Sequence, residues 1–184
     1  MEFFEVFFLA LGLAMDAFAV SVAATASGKI NNKRAVFRLS FHFGLFQFLM
    51  PVIGWFSGEY AERYLSTFSH WIAFALLLFV GLRMIYASTK PEESIAVSDP
   101  SRGLNLVMLA LATSIDALAV GFSLALIRFD IWYPSVVIGV VTAALSLIGI
   151  RLGNIAGRRI GRYLALAGGI ILIGIGLKIL LENR

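Results

Sequence analysis

The chain has 184 residues, 60% of them hydrophobic and only 14% charged, with a mean hydropathy of +0.90. A soluble domain carries roughly 25% charged and 45–50% apolar residues, so a water-soluble globule is excluded and a bilayer is the expected solvent. The formal charge of +4 sits in short clusters between long apolar runs, which argues for membrane-face loops against nucleic-acid binding, and the lack of cysteine rules out disulfides and thiolate metal sites.

A membrane-spanning helix needs about 20 mostly apolar residues, and six windows meet that need: 3–25, 39–57, 68–87, 104–126, 133–152 and 163–181. The first opens Met1-Glu2-Phe3-Phe4-Glu5, acids where a signal peptide wants bases, and Asp16 interrupts its apolar run; it reads as a retained helix. The second carries His42 near its basic end, Gln47 mid-span and Pro51 four residues later. A proline there kinks the helix or frees a carbonyl near Gln47. The amide is therefore expected as an accessory ligand or as an interhelical hydrogen bond, and His42 as an interfacial group. His70 and Trp71, at the start of the third window, suit an aromatic-belt anchor.

The stretch from Ser88 to Gly103, with Pro91, Glu92, Glu93, Asp99, Pro100 and Arg102, reads as a polar linker. The fourth window holds Asp116, with Thr113 one turn before it. The fifth ends at Arg151, and Asn154 beyond it is a candidate for an inner vestibule. The sixth runs from Tyr163 to Leu181 with Lys178 as its only charge. Gly149, Gly153, Gly157 and Gly161, echoed by Gly54 and Gly58, form small-xxx-small ladders that let helices pack closely.

Basic residues set the orientation. Eleven of the fifteen Lys and Arg follow the first, third and fifth windows: Lys29, Lys33, Arg34 and Arg38, then Arg83, Lys90 and Arg102, then Arg151, Arg158, Arg159 and Arg162. Those three loops are expected to face the cytoplasm, which leaves both termini outside.

Residues 10–23, ALGLAMDAFAVSVA, match residues 110–123, ALATSIDALAVGFS, at an offset of 100. At an offset of 95, Gly44, Gly54, Gly58, Ala61 and Arg63 recur as Gly139, Gly149, Gly153, Ala156 and Arg158, and Gly81-Leu82-Arg83 recurs as Gly176-Leu177-Lys178. One match per helix, in order, indicates duplication. Three spans per copy turn the second copy upside down. The expected fold is an all-α integral membrane protein of six transmembrane helices in two inverted three-helix repeats, 1–87 and 104–184, joined by a cytoplasmic linker over 88–103. Inverted repeats frame midplane sites in secondary transporters.

A carboxylate at the bilayer centre costs at least ~2.5 kcal/mol, so Asp16 and Asp116 are expected to face the interior and meet a partner. In an inverted pair, equivalent central residues converge on one cavity. Gly12 and Ala19 beside Asp16, and Thr113, Ala119 and Ser123 beside Asp116, leave room there for an ion. Two carboxylates with oxygen co-ligands suit a hard or borderline divalent cation. The candidate metal-ligating set is Asp16, Asp116, Thr113 and Gln47, and two such acids can exchange one dication for up to two protons.

No HExxH, GxSxG or nucleotide-binding motif appears, which points away from an enzyme and from an ATP-driven pump. The acids sit in AMDA and SIDA, not in the GxGD setting of intramembrane aspartyl proteases. A basic amino acid as cargo would want a cation for its own carboxylate, and no Lys or Arg lies mid-membrane. Another divalent cation such as cadmium, a passive channel or an assembly scaffold remain as rival readings.

Met15-Asp16-Ala17-Phe18-Ala19 and Thr113-Ser114-Ile115-Asp116-Ala117, with Pro51-Val52-Ile53-Gly54-Trp55 and His70-Trp71-Ile72-Ala73-Phe74, resemble the signatures of the MntP-type manganese efflux pumps, in the wider LysE-type exporter group. The likeness covers essentially the whole chain. It implies a multi-pass protein of the bacterial inner membrane that lowers cytoplasmic manganese. Mn²⁺ is then the substrate, with no permanently bound cofactor, and the family's intramembrane acids fall on Asp16 and Asp116. Some relatives carry a carboxylate where this chain has Gln47, so the charge of the site is expected to differ there. Beyond the ion and the lipid bilayer the resemblance implies no partner, and a homo-oligomer is compatible with it.

Overall fold

The computed structural model describes residues 3–26, 30, 32–65, 69–89, 100–153, 170, 173–178 and 180–181. Most of the linker, Asn154, Gly157, Gly161 and much of the sixth window lie outside them. The described residues form five complete helices: α1 (Phe3–Ala26), α2 (Lys33–Leu65), α3 (Ser69–Thr89), α4 (Gly103–Leu126) and α5 (Trp132–Gly153). Residues 173–178 are helical as well. Helices α1, α2, α4 and α5 are each long and apolar enough to cross a membrane, while α3 carries a shorter apolar segment, Trp71–Val80. The protein is an all-helical, multi-pass membrane protein.

Four of the helices keep close to the hydropathy windows, but α2 does not. The window covers 39–57, whereas the helix runs 33 residues from Lys33 to Leu65, or about 50 Å at 1.5 Å per residue. Its start is set by a cap: the Asn32 side-chain oxygen accepts the Ala35 backbone N–H at 2.7 Å, which satisfies one of the orphan donors of the first turn. Lys33, Arg34 and Arg38 therefore belong to the helix and not to a loop, and Gly58, Glu59 and Glu62 are helical too. Hydropathy ends at charges; a capped helix runs through them. The helix also continues unbroken through Pro51. Likewise α3 runs to Thr89, so the polar linker begins later than Ser88.

Helix α1 packs on α5, α2 packs on both α4 and α5, and α3 packs on α4. Glycines let two of these pairs approach to backbone contact. A Cβ added to Gly54 would overlap the Leu118 carbonyl, and one on Gly58 would lie 2.7 Å from the Phe122 oxygen, so α2 and α4 touch directly. A Cβ on Gly149 would lie 2.8 Å from the Phe18 oxygen and one on Gly153 2.6 Å from the Val22 oxygen, so α5 and α1 touch in the same manner. Adding 95 to the α2 numbers and subtracting 100 from the α4 numbers turns the first seam into the second. A groove of about 260 Å³ between α2 and α5 follows the same rule. Phe41, Gly44, Leu45 and Phe48 form one wall, and Val136, Gly139, Val140 and Ala143 the other.

The buried apolar residues fall into two clusters. One gathers Leu9, Leu13, Met50, Leu77, Ala117, Val120, Leu124 and Ile138. The other gathers Ala17, Ala24, Leu39, Phe43, Leu106, Ala110 and Ile150. Along each of α1, α2, α4 and α5 the chain passes from one cluster to the other. Phe46 of α2 packs against both clusters and marks the level at which they meet.

Candidate metal site

Asp16 lies at that level on α1, between Leu13 of one cluster and Ala17 of the other. Asp116 lies on α4 between Ala110 and Ala117, and it is buried, with 6% of its surface exposed. Asp16 is half-buried. Both sit on helices whose other residues at this depth are apolar or small, so the aspartates are the charged groups at this level of α1 and α4.

Gln47 on α2 is fully buried and joins these two helices. Its Nε2 donates to the Leu13 carbonyl of α1 at 3.1 Å and to the Thr113 carbonyl of α4 at 3.1 Å. The two acceptors are therefore within twice that distance of each other. Leu13 and Thr113 stand three residues before Asp16 and Asp116 respectively. Each aspartate is thus about 4.5 Å along its helix from the bridging amide, and Cβ bonds lean toward the helix N-terminus, back toward that amide. Of the two roles open to Gln47, the interhelical hydrogen bond is present. Its Oε1 is buried and has no hydrogen-bond partner among the described residues.

Thr113 is buried, and its hydroxyl turns to the Leu109 and Ala110 carbonyls of its own helix at 3.1 and 3.0 Å. Its proton is committed there, which leaves oxygen lone pairs as what it can offer an ion. His42 makes a local contact, Nδ1 to the Arg38 carbonyl at 2.8 Å. Among the described residues no three His, Cys, Asp or Glu side chains gather around one point. Any ion at this level would take amide, hydroxyl or carbonyl oxygens besides the aspartates.

Three further ties escaped the sequence reading. Trp55 Nε1 donates to the Phe129 carbonyl at 2.8 Å, fastening α2 to the α4–α5 turn. Arg38 Nη2 donates to Ser101 Oγ at 3.4 Å, fastening the start of α2 to the approach to α4. Lys178, the lone charge of the last window, pairs with Glu5 of α1. The residue types were visible; the partners, far apart in the chain, were not.

Replacing Gln47 with Leu removes both hydrogen bonds and keeps the bulk. Intramembrane hydrogen bonds average about 0.6 kcal/mol each, so Gln47→Leu is expected to lower stability by about 1 kcal/mol. Thermal unfolding of the detergent-solubilised protein measures this, and an unchanged midpoint would discount the bridge.

The model of the family described as "Putative manganese efflux pump" matches residues 29–180. A relative from Syntrophotalea carbinolica is 48% identical over 184 residues, which is 100% of this chain and 98% of the relative. One from Nitratidesulfovibrio vulgaris is 50% identical, covering 100% of this chain and 92% of the relative, and one from Parabacteroides distasonis is 49% identical, covering 100% and 98%. All three are named as manganese efflux pumps of the MntP type. No solved structure matches the chain.

Proposed function

The chain belongs to the MntP family of manganese efflux pumps, and from that premise we propose that it exports Mn²⁺ from the bacterial cytoplasm in exchange for protons. The ion is held midway across the inner membrane by Asp16 and Asp116, with the Gln47 side-chain oxygen and the Thr113 hydroxyl as neutral co-ligands. The observation that carries this reading is the Gln47 amide, which bonds equally to Leu13 and Thr113, one turn from each aspartate. It supports a single level at which α1 and α4 bring their acids together. Hard oxygen donors of this kind suit Mn²⁺.

The reading includes two inverted repeats, 1–87 and 104–184, joined by the linker over 88–103. Two glycine seams related by the repeat offsets support it, as does the groove with four matched pairs of walls. In this arrangement both termini lie outside and the basic ends of the odd-numbered spans face the cytoplasm. The α1–α5 seam then closes the cytoplasmic side and the α2–α4 seam the outer side. Transport alternates between opening one and opening the other, around a fixed site.

Exchange with protons follows from charge. Two carboxylates left empty in low dielectric are costly, and so is a dication moved without counter-charge. Loading one Mn²⁺ as two protons leave keeps the site near neutral in both halves of the cycle. In everted membrane vesicles an acid lumen is expected to drive Mn²⁺ uptake, and collapsing the pH gradient is expected to stop accumulation. Uptake that proceeds at full rate and extent without the gradient would remove the exchange step while leaving manganese transport intact.

A further inference from the structure

We infer that Thr142 of α5 gives the transported cation a further oxygen ligand. The inference rests on the site reading above and extends it to a helix that contributes nothing to the set named from sequence. Every helix shared by the two apolar cores crosses the level between them, and on α1, α2 and α4 that crossing is marked by Asp16, Gln47 and the Thr113–Asp116 turn. On α5 the first core takes in Ile138, Val141 and Leu145 and the second begins at Ile150. Thr142 stands one turn past Ile138, on the last turns of the first core before that crossing. Its side chain is 0% exposed, and its Oγ1 has no hydrogen-bond partner among the described residues.

Thr142 shares this state with Ser21, Ser40, Ser135 and Ser146, whereas other helical hydroxyls are satisfied locally. Thr25, Ser57, Thr113, Ser114 and Ser123 all turn the hydroxyl onto a carbonyl one turn earlier in their own helix. That back-bond is the default for a hydroxyl in an apolar helix. Thr142 has the Ile138 carbonyl within the same reach and leaves it unused. A buried hydroxyl without a partner is costly, and a cation at the adjacent level would offset that cost.

Position agrees with chemistry. Thr142 stands on α5 where Gln47 stands on α2, at the offset of 95 that also relates Gly139 to Gly44. Those glycines meet where the two helices cross: a Cβ on Gly44 would lie 2.9 Å from the Gly139 oxygen, and one on Gly139 3.0 Å from the Gly44 oxygen. Gln47 enters the gap between α1 and α4 from one side of that crossing. The related position directs Thr142 at the same gap from the other, with a shorter side chain that leaves space between them. A hydroxyl is a hard, neutral donor, so it completes an oxygen shell without changing the charge of the site.

The test is Mn²⁺ uptake by everted vesicles carrying variants of α5. Thr142→Val keeps the shape and removes the oxygen. Its apparent KM for Mn²⁺ is expected to rise at least about tenfold, the scale set by losing even a supporting group of a metal site, while Thr142→Ser stays within about threefold of wild type. Ser135→Ala removes an equally buried, equally partnerless hydroxyl from the first turn of α5, and it is expected to leave KM unchanged. Thr142→Cys places the chain's sole thiol at the level of the site, so Cd²⁺ should compete with Mn²⁺ at least about tenfold better, which a packing role would not produce. A wild-type KM in Thr142→Val, equal losses in Thr142→Val and Thr142→Ser, or an unchanged Cd²⁺ preference in Thr142→Cys overturns the inference. Wild-type vesicles that take up no Mn²⁺ at all would instead sink the functional reading, and the Thr142 ligand with it.

Discussion

Cells lacking manganese efflux and carrying Asp16→Asn or Asp116→Asn are expected to grow in excess manganese no better than cells with an empty vector, while the wild-type chain protects them. Asparagine keeps the shape and the oxygen of each side chain and removes only its charge. A dication held by one carboxylate in place of two leaves one elementary charge uncompensated near the bilayer centre. That costs at least ~2.5 kcal/mol on the lenient insertion scales, which is roughly a 60-fold loss of affinity. The two variants are expected to fail alike, because each leaves the site short by the same charge although Asp16 is half-buried and Asp116 fully so. Protein levels in the membrane should stay near wild type, since a neutral amide is cheaper to insert than an acid. Full protection by either variant at normal abundance would remove that aspartate from the site.

The two acids stood out in the sequence because a carboxylate in the middle of an apolar run is expensive enough to need a reason. The seams were legible for a related cause: Gly54, Gly58, Gly149 and Gly153 recur at helical spacing, and closely packed backbones leave no other residue to choose. The length of α2 was not legible from hydropathy, which reads Arg34 and Arg38 as loop. The signal that was present, Asn32 ahead of Ala35, is one of capping and not of burial. Gln47 was legible only as a choice between ligand and hydrogen bond, because the acceptors that decide its direction lie 34 and 66 residues away. Thr142 was marked in the sequence only by its offset of 95 from Gln47. In an apolar helix a hydroxyl ordinarily bonds to its own backbone, and its failure to do so, shared with Ser135 and Ser146, is visible only in three dimensions.

Alanine at Gly54 or Gly121 is expected to cost about 3 kcal/mol, the upper end of what overpacking a closed contact costs. The two glycines face each other's helices across the α2–α4 crossing. A Cβ on Gly54 would overlap the Leu118 carbonyl, and one on Gly121 would overlap the Pro51 carbonyl. Backbone cannot rotate away as a side-chain tip can, so the helices must separate. The same displacement pulls Gln47, two turns before Gly54, from its Thr113 acceptor, so transport should fall together with stability. Gly149→Ala is expected to cost less, because its added carbon would sit 2.8 Å from the Phe18 oxygen and 3.1 Å from Ser21 Cβ, a shallower overlap than at Gly54 or Gly121. Gly174→Ala meets nothing within 4 Å among the described residues, and better helix propensity should make it neutral or stabilising by up to about 1 kcal/mol. Thermal unfolding in detergent ranks the four. A Gly54→Ala protein as stable as Gly174→Ala would mean that α2 and α4 stand farther apart than a backbone contact allows, and the amide bridge that defines the level of the aspartates would go with them.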